Sequence, residues 1–300
     1  MRALVIGGSG QVGAALAITL RARAHDVVGT HHRVPQAGTV LLDVADAAAT
    51  RRTLTEVAPD VVFCPAGLTA VDYCEDHPDE AFSANCHAPA QAAALAAQRG
   101  IAFVFFSTEY VFDGRGGPYG EDDPVAPLSV YGRSKLEGER AVLSANSRAL
   151  VVRTTVVYGP EPQGKNFVYQ LRRRTANHEI MRVPVDQRSS PTYNVDLAEA
   201  TVALIERGVV GVVHVAGPQV LNRYEFARMA CDVFGLDASA VVPVTTAELA
   251  QRAARPLDAG LRTERVRRLV DTPLRAPGDG LAAMRAAIEG RAVDTPGGRR

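Results

Sequence analysis

Gly7-Gly8-Ser9-Gly10-Gln11-Val12-Gly13 is the stretch on which the fold turns. It follows the apolar run RALVI (2–6), long enough for a buried strand and too short for a helix. It precedes an Ala/Leu-rich stretch, 14–24, of helical composition. In that setting Gly7 permits the tight turn, Gly10 the close approach of a pyrophosphate, and Gly13 close packing of helix on strand. The helix N-terminus adds unpaired N–H groups and a positive dipole end. Gln11 and Val12 fall on the same loop.

Further along the chain, strand character returns at 25–30 (HDVVGT), 61–66 (VVFCPA), 101–107 (IAFVFFS) and 149–159 (ALVVRTTVVYG). Helical stretches lie between them at 46–57, 79–99 and 131–146. Strands alternating with helices predict an α/β fold of Rossmann type, a doubly wound parallel sheet covered on both faces. Beyond Gly159 the pattern turns irregular. KNFVYQLRRRTANHE reads as a helix, VPVDQRSSPTY as an extended loop, NVDLAEATVALIERG as a helix and GVVHVAG (211–217) as a strand. NRYEFARMACDVFG reads as a helix capped by its asparagine. The expected division is a dinucleotide-binding domain, 1–158 with about 193–217, and a smaller interleaved α/β substrate-binding lobe, 159–192 and 218–288. Residues 289–300 are expected to form a flexible tail.

Composition narrows the function classes. The 300 residues carry 33 basic and 33 acidic side chains, which gives no ground for a nucleic-acid or membrane-surface partner. No apolar segment reaches the ~18 residues of a membrane span. The four cysteines, Cys64, Cys74, Cys86 and Cys231, form no CxxC pair, so neither a metal site nor a disulfide framework is expected. Reduced thiols fit a cytoplasmic protein.

The end of the second strand bears on the cofactor. A carboxylate about 20 residues after the glycine loop would bind a ribose 2′-hydroxyl. Thr30-His31-His32-Arg33 stands there instead, and Arg33 would attract a 2′-phosphate. NADPH is therefore the preferred cofactor, with NADH as the alternative. Asp43 can accept from an adenine amino group or cap the following helix.

Tyr131 and Lys135 form a YxxxK pair, one turn apart on a helix face. A free phenol titrates near ~10. A neighbouring ammonium pulls that value toward the working range, and the lysine can also hold ribose hydroxyls. Ser107-Thr108 ends the strand upstream, at the edge where open parallel sheets bind ligands. A hydroxyl there can polarise a carbonyl and orient it toward Tyr131.

These residues resemble the extended short-chain dehydrogenase/reductases, and within them the dTDP-4-dehydrorhamnose reductase-like branch. GGSGQVG, FFSTEYVFDG, YGEDDPVAPLSVYGRSKLEGE, VRTTVVYGP, VDQRSSPTY and ARPLDAGL carry the resemblance over nearly the whole chain. It implies that Thr108, Tyr131 and Lys135 carry catalysis. It further implies that Gly7, Gly10, Gln11, Val12, Gly13, Arg33, Asp43, Val44, Ala66 and Gly67 line the cofactor site, bordered by Tyr131 and Lys135. Asn85 would organise the nearby backbone. Thr69, Glu109, Tyr110, Val156, Asn166, Arg188 and Ser190 would face the substrate.

Within the resemblance, the residues after Thr108 separate chemistries. Dehydratases of this kind carry an Asp-Glu pair there, whereas this chain has Glu109 and then Tyr110. Reductive epimerases rely on a cysteine beside the serine, absent near Ser107. Simple reduction of a ketone fits. Val156 stands where such reductases carry a substrate-touching tryptophan, Leu68 replaces a polar residue, and Ala259 a serine. The implied substrate is thus a related nucleotide-linked 4-keto deoxysugar rather than dTDP-4-dehydrorhamnose itself. A homodimer is compatible with such folds. The alternatives are a non-catalytic NADP-binding subunit resembling the beta subunit of methionine adenosyltransferase, and a reductase of a non-sugar ketone. Arg153, at a strand end, would brace the active-site loop or pair structurally.

Overall fold

A computed structural model describes residues 1–290 of the chain. Six strands, β1 (Arg2–Val5), β2 (Asp26–His31), β3 (Thr39–Leu41), β4 (Val61–Cys64), β5 (Ala102–Thr108) and β6 (Ala149–Thr154), join Gly211–His214 in one parallel sheet. The spatial order is Gly211–His214, β6, β5, β4, β1, β2, β3. Connections run outward from β1 in opposite directions, so the order reverses between β1 and β4. A crevice opens there beyond the carboxyl ends of the strands.

The sheet is buried on both faces because successive side chains alternate. Val5, Phe63, Val104 and Val152 pack with Leu16, Leu20, Leu197 and Leu204 of two helices on one side. Leu4, Val62, Phe103, Phe105 and Val151 pack with Leu54, Ala92 and Val142 on the other. Each large apolar side chain so buried contributes about 1.5–3 kcal/mol.

The helical stretch expected at 79–99 is divided: Pro78–Phe82 and Ala88–Ala97 flank one wide π turn, Ser83–His87. The run expected as one strand over 149–159 also breaks. Val156 takes a left-handed φ of +40°, which a β-branched residue rarely adopts. Val157–Tyr158 then leaves the main sheet and pairs with Thr192–Tyr193. The segment read as an extended loop contributes short strands to the second lobe, Met181–Pro184 pairing Val241–Val244 and Arg188–Ser189 pairing Leu221–Asn222. Strand Gly211–His214 is shorter than the apolar run that announced it.

Tyr158, Phe167, Leu171, Phe226, Leu281 and Met284 form the core of that lobe. Its helix Arg223–Phe234 starts with a full capping box between Asn222 and Glu225, as the asparagine predicts. Of the expected tail, Glu289 still caps the last helix, Pro277–Ile288, and accepts from Arg285 at 2.8 Å. Residues 291–300 lie outside the described residues. Among the described residues no helix is long and apolar enough to cross a membrane.

Candidate active site

The glycine loop leaves β1 on Gly7, whose φ of +89° needs no Cβ. The Gly7 N–H donates to Thr30 Oγ1 at 3.2 Å, tying the loop to β2. Gly10 N–H turns back to the Gly7 carbonyl at 3.0 Å. Helix Gln11–Ala22 begins at once, with no side chain capping its first amides. A Cβ on Gly13 would lie 2.1 Å from the Gly7 carbonyl oxygen, so loop and helix touch backbone to backbone. The Gln11 side chain is spent on the Val157 carbonyl at 3.1 Å, and Gln163 donates to the Ser9 carbonyl at 2.9 Å. Gln11 therefore offers the crevice its main chain rather than its amide. Val12 is half-buried against the sheet core.

Arg33 is exposed past the end of β2. Asp43 is exposed as well, accepts from Ala45 N–H at 3.0 Å and stands 3.9 Å from His32. It does not cap the following helix. Asp46 does, accepting from Ala48 and Ala49. Val44 is half-buried at the same edge.

At the end of β4, Ala66 returns to β1 through its N–H bond to the Ile6 carbonyl. The turn of Leu68 is then gripped by Asn85: Oδ1 accepts from Leu68 N–H at 2.8 Å and Nδ2 donates to the Leu68 carbonyl at 3.0 Å. Asn85 is fully buried in the π turn and also donates to Ser134 Oγ at 3.1 Å. Ser134 in turn donates to the Tyr131 carbonyl at 2.8 Å. A single buried chain of bonds thus runs from the β4 loop to the tyrosine's own backbone. Ser134 is a participant that the motifs do not single out. A Cβ on Gly67 would sit 3.9 Å from Lys135 Nζ, so the bare glycine leaves the ammonium approachable.

Tyr131 and Lys135 lie on helix Val130–Ala145, started by Ser129, whose Oγ accepts from Gly132 N–H at 3.2 Å. A Cβ on Gly132 would lie 2.3 Å from the Tyr110 carbonyl, so this glycine sets how closely the helix approaches the end of β5. Lys135 Nζ donates to the Phe106 carbonyl at 2.6 Å and lies 3.9 Å from the centre of the Phe105 ring. Burial lowers its pKa to about 8.

The Tyr131 hydroxyl faces Thr108, and the ring meets Tyr110 edge-on at 5.3 Å. Burial, reinforced by the Glu109 charge, pushes the phenol well above its ordinary range. The expectation that Lys135 draws the phenol down is corrected: the lysine is turned to Phe106, and burial governs Tyr131. The phenol keeps its proton at neutral pH.

Ser107 and Glu139 do structural work below this surface. Ser107 Oγ donates to Glu139 at 2.5 Å, and Arg153 holds both oxygens of the same carboxylate at 2.9 and 2.7 Å. Arg153 thus pairs structurally while locking β6 to the helix of Tyr131. Glu139 ends the YGRSKLEGE stretch, but the resemblance implies no role for it.

The residues implied for substrate separate into two groups. Glu109, buried, and Tyr110, half-buried, adjoin Thr108; Val156 is half-buried at the break after β6; Thr69 is exposed on the β4 loop. Asn166 and Ser190 are corrections. Asn166 caps helix Phe167–Ala176, accepting from Val168 and Tyr169 while donating to the Gly159 carbonyl at 2.9 Å. Ser190 is fully buried and accepts from Leu261 N–H at 3.1 Å. Both side chains are committed to the scaffold. Arg188 is exposed and lies 3.6 Å from Asp258.

Arg223 enters the cleft unannounced. Its guanidinium covers the Phe167 ring at 4.6 Å, close enough to Glu109 and Tyr110 to feel their charge. Among the described residues that guanidinium has no hydrogen bond or ion pair. Arg255 stands nearby, paired to Asp72 at 2.9 Å. A serine or threonine at the strand end is legible in a motif, whereas a cation arriving from 115 residues beyond Thr108 is not.

A site of this geometry has close counterparts among known proteins. The family described as RmlD substrate binding domain matches residues 1–289. A dTDP-4-dehydrorhamnose reductase of Mycobacterium tuberculosis is 37% identical over 292 residues, covering 95% of this chain and 93% of that protein. The crystal structure of a dTDP-4-dehydrorhamnose reductase from Clostridium acetobutylicum superposes with a TM-score of 0.88 at 32% identity, covering 96% of this chain and all of that one (100%). The Bacillus anthracis dTDP-4-dehydrorhamnose reductase in complex with NADP superposes equally, TM-score 0.88 at 28% identity, covering 95% of this chain and 99% of that one.

Proposed function

The chain belongs to the RmlD substrate binding domain family, and on that premise we propose that it is an NADPH-dependent reductase of the keto group on a dTDP-linked 4-keto deoxysugar. One observation carries the reading: Thr108, Tyr131 and Lys135 converge at the carboxyl end of β5, one strand removed from the crevice between β1 and β4.

The residues present fit the dinucleotide. The Gly7–Gly13 contact leaves no room for a Cβ, so the loop, bare at Gly10, can lie close under a pyrophosphate against the amides of Gln11, Val12 and Gly13. Arg33 would meet a 2′-phosphate, Asp43 and Val44 the adenine, and Ala66 and Gly67 the central cleft. When bound, the nicotinamide supplies hydride to the carbonyl carbon. Lys135, approachable over Gly67, would hold ribose hydroxyls. Tyr131, kept protonated by burial, donates its proton to the carbonyl oxygen, and Thr108 polarises and orients that oxygen.

Residues 1–158 with about 193–217 would carry the cofactor, and 159–192 with 218–288 the sugar nucleotide. Arg223 adds a cation for the sugar nucleotide, which can use a guanidinium in a bidentate contact. Thr69, Tyr110, Val156 and, at the rim, Arg188 would shape the sugar pocket. Val156 and Leu68 favour a sugar related to dTDP-4-dehydrorhamnose over that compound itself. The reaction is placed in the cytoplasm. A homodimer is compatible with it and is read by sedimentation velocity.

The test is NADPH oxidation with a panel of dTDP-4-keto deoxysugars. Tyr131→Phe is expected to lower kcat by about 10²–10⁴ while leaving NADPH binding intact. Wild-type inertness toward every ketone in the panel contradicts the reading.

A further inference from the structure

Thr108 is asked to polarise a carbonyl, yet it has one proton to give. That proton is engaged: Thr108 Oγ1 donates to Glu109 Oε2 at 2.8 Å. One lone pair accepts from Tyr110 N–H at 3.2 Å, and the remaining acceptor side faces the Tyr131 hydroxyl. In this arrangement the threonine has no donor left for a substrate. The group needed to polarise the carbonyl is turned inward.

We propose that Glu109 is a positioning residue that sets the direction of the Thr108 hydroxyl, and through it whether Thr108 can donate to the substrate carbonyl beside Tyr131. Reversing one bond is sufficient. When Glu109 carries a proton it donates to Thr108 Oγ1, and Tyr110 N–H keeps the other lone pair. The threonine proton is then free to point into the cleft, on the side that faces the Tyr131 hydroxyl. The switch takes up one proton from solvent at Glu109 and releases it again when Glu109 ionises.

The surroundings allow either state. Glu109 is 6% exposed, and burial raises its pKa against the opposing pull of the Thr155 and Thr108 hydroxyls and the Arg223 guanidinium. The groups that face it are Thr108 at the end of β5, Thr155 after β6, Tyr110 beside it, Tyr131 from the catalytic helix and Arg223 from the second lobe. Arg255 stands behind Arg223 and is balanced by Asp72. Arg223 is the only cation in that set facing the carboxylate. An anionic group of the substrate that engages it would remove support from the carboxylate form and favour the donating one.

The inference rests on the reductase reading, so its first readout needs no turnover. Infrared difference spectra, wild type minus Glu109→Gln, are recorded on the NADP-loaded protein across pH. A protonated-carboxyl stretch is expected that vanishes as Glu109 ionises. In Thr108→Val its midpoint is expected to move to higher pH, because the carboxylate has lost its threonine donor. A midpoint unmoved by Thr108→Val, or no such band at any pH, overturns the proposal. Turnover supplies the second readout. The side-chain amide introduced by Glu109→Gln cannot ionise, and its NH2 can donate to Thr108 at every pH. That variant is therefore expected to lack the fall in kcat that wild type shows at the infrared midpoint. A kcat in Glu109→Gln that still falls at that pH as wild type does overturns it. An inactive wild type with the midpoint shift intact contradicts the reductase reading and supports the Glu109–Thr108 coupling.

Discussion

Arg153 clamps Glu139 with two parallel hydrogen bonds, Nε to Oε1 at 2.9 Å and Nη2 to Oε2 at 2.7 Å, where both residues are almost fully buried. The pair joins strand β6 to the helix of Tyr131, and Ser107 completes it from β5. Removing one partner strands a buried charge, which costs about 3–5 kcal/mol. Arg153→Met is expected to lower stability by that amount in urea unfolding. The double variant Arg153→Met/Glu139→Leu is expected to recover most of it, because neither charge is then left unpaired. Equal losses in the single and double variants contradict this assignment.

Lys135 gives the fold a pH dependence of definite sign. Burial lowers its pKa from 10.5 to about 8, so between these values the unfolded chain binds more of this proton than the native one. Stability is therefore expected to rise with pH across that window, by up to about 3 kcal/mol from this group. Below pH about 8 the full cost of burying the ammonium is present. Lys135→Met is expected to flatten the rise in denaturation curves taken from about pH 7 to 11, and an unchanged slope contradicts the assignment.

Gly13→Ala tests the contact under the cofactor. Its Cβ would meet the Gly7 carbonyl at 2.1 Å, so helix and loop must part. Overpacking of this kind costs about 1–3 kcal/mol. The Kd for NADPH, read by nucleotide fluorescence, is expected to rise by about tenfold or more. Gly38→Ala is the control for strain alone, since no atom lies within 4 Å of its Cβ although its φ is +77°.

Arg33 tests cofactor choice. A charge-assisted hydrogen bond to a 2′-phosphate is worth about 1.5–3 kcal/mol. Arg33→Ser is expected to lower kcat/KM for NADPH by about tenfold or more and to leave that for NADH nearly unchanged. Equal losses with both cofactors contradict a 2′-phosphate role.

The parts legible in the sequence are those that local periodicity and short motifs encode. RALVI followed by Gly7–Gly13 announces a strand, a phosphate loop and a helix within about twenty residues, and the strand, the loop and the helix are all present. YxxxK places Tyr131 and Lys135 one turn apart without reference to anything distant. Asn222 is recognisable as a cap because its partner Glu225 is three residues away. What stays hidden depends on contacts between distant segments. Arg223 reaches Glu109 only through the packing of the second lobe, and Glu139 looks like any helical carboxylate until Arg153 arrives from β6. Asn166 and Ser190 are implied for substrate by the resemblance, but the same polar atoms are needed to cap a helix and to hold the Leu261 backbone. The pull expected from Lys135 on Tyr131 fails for a related reason: helical spacing sets distance along a face, while burial and the Phe106 carbonyl set where the ammonium points.

Hydride transfer to the sugar can be followed through one atom. The protein is supplied with reduced cofactor carrying deuterium at the transferable position of the nicotinamide, together with a dTDP-4-keto deoxysugar, and the product is analysed by mass spectrometry and proton NMR. The reductase reading predicts one deuterium on the sugar carbon that bore the ketone, formed at a rate lowered by about 10²–10⁴ in Tyr131→Phe. A sugar recovered as the unreduced ketone, or reduced equally fast by Tyr131→Phe, would contradict it.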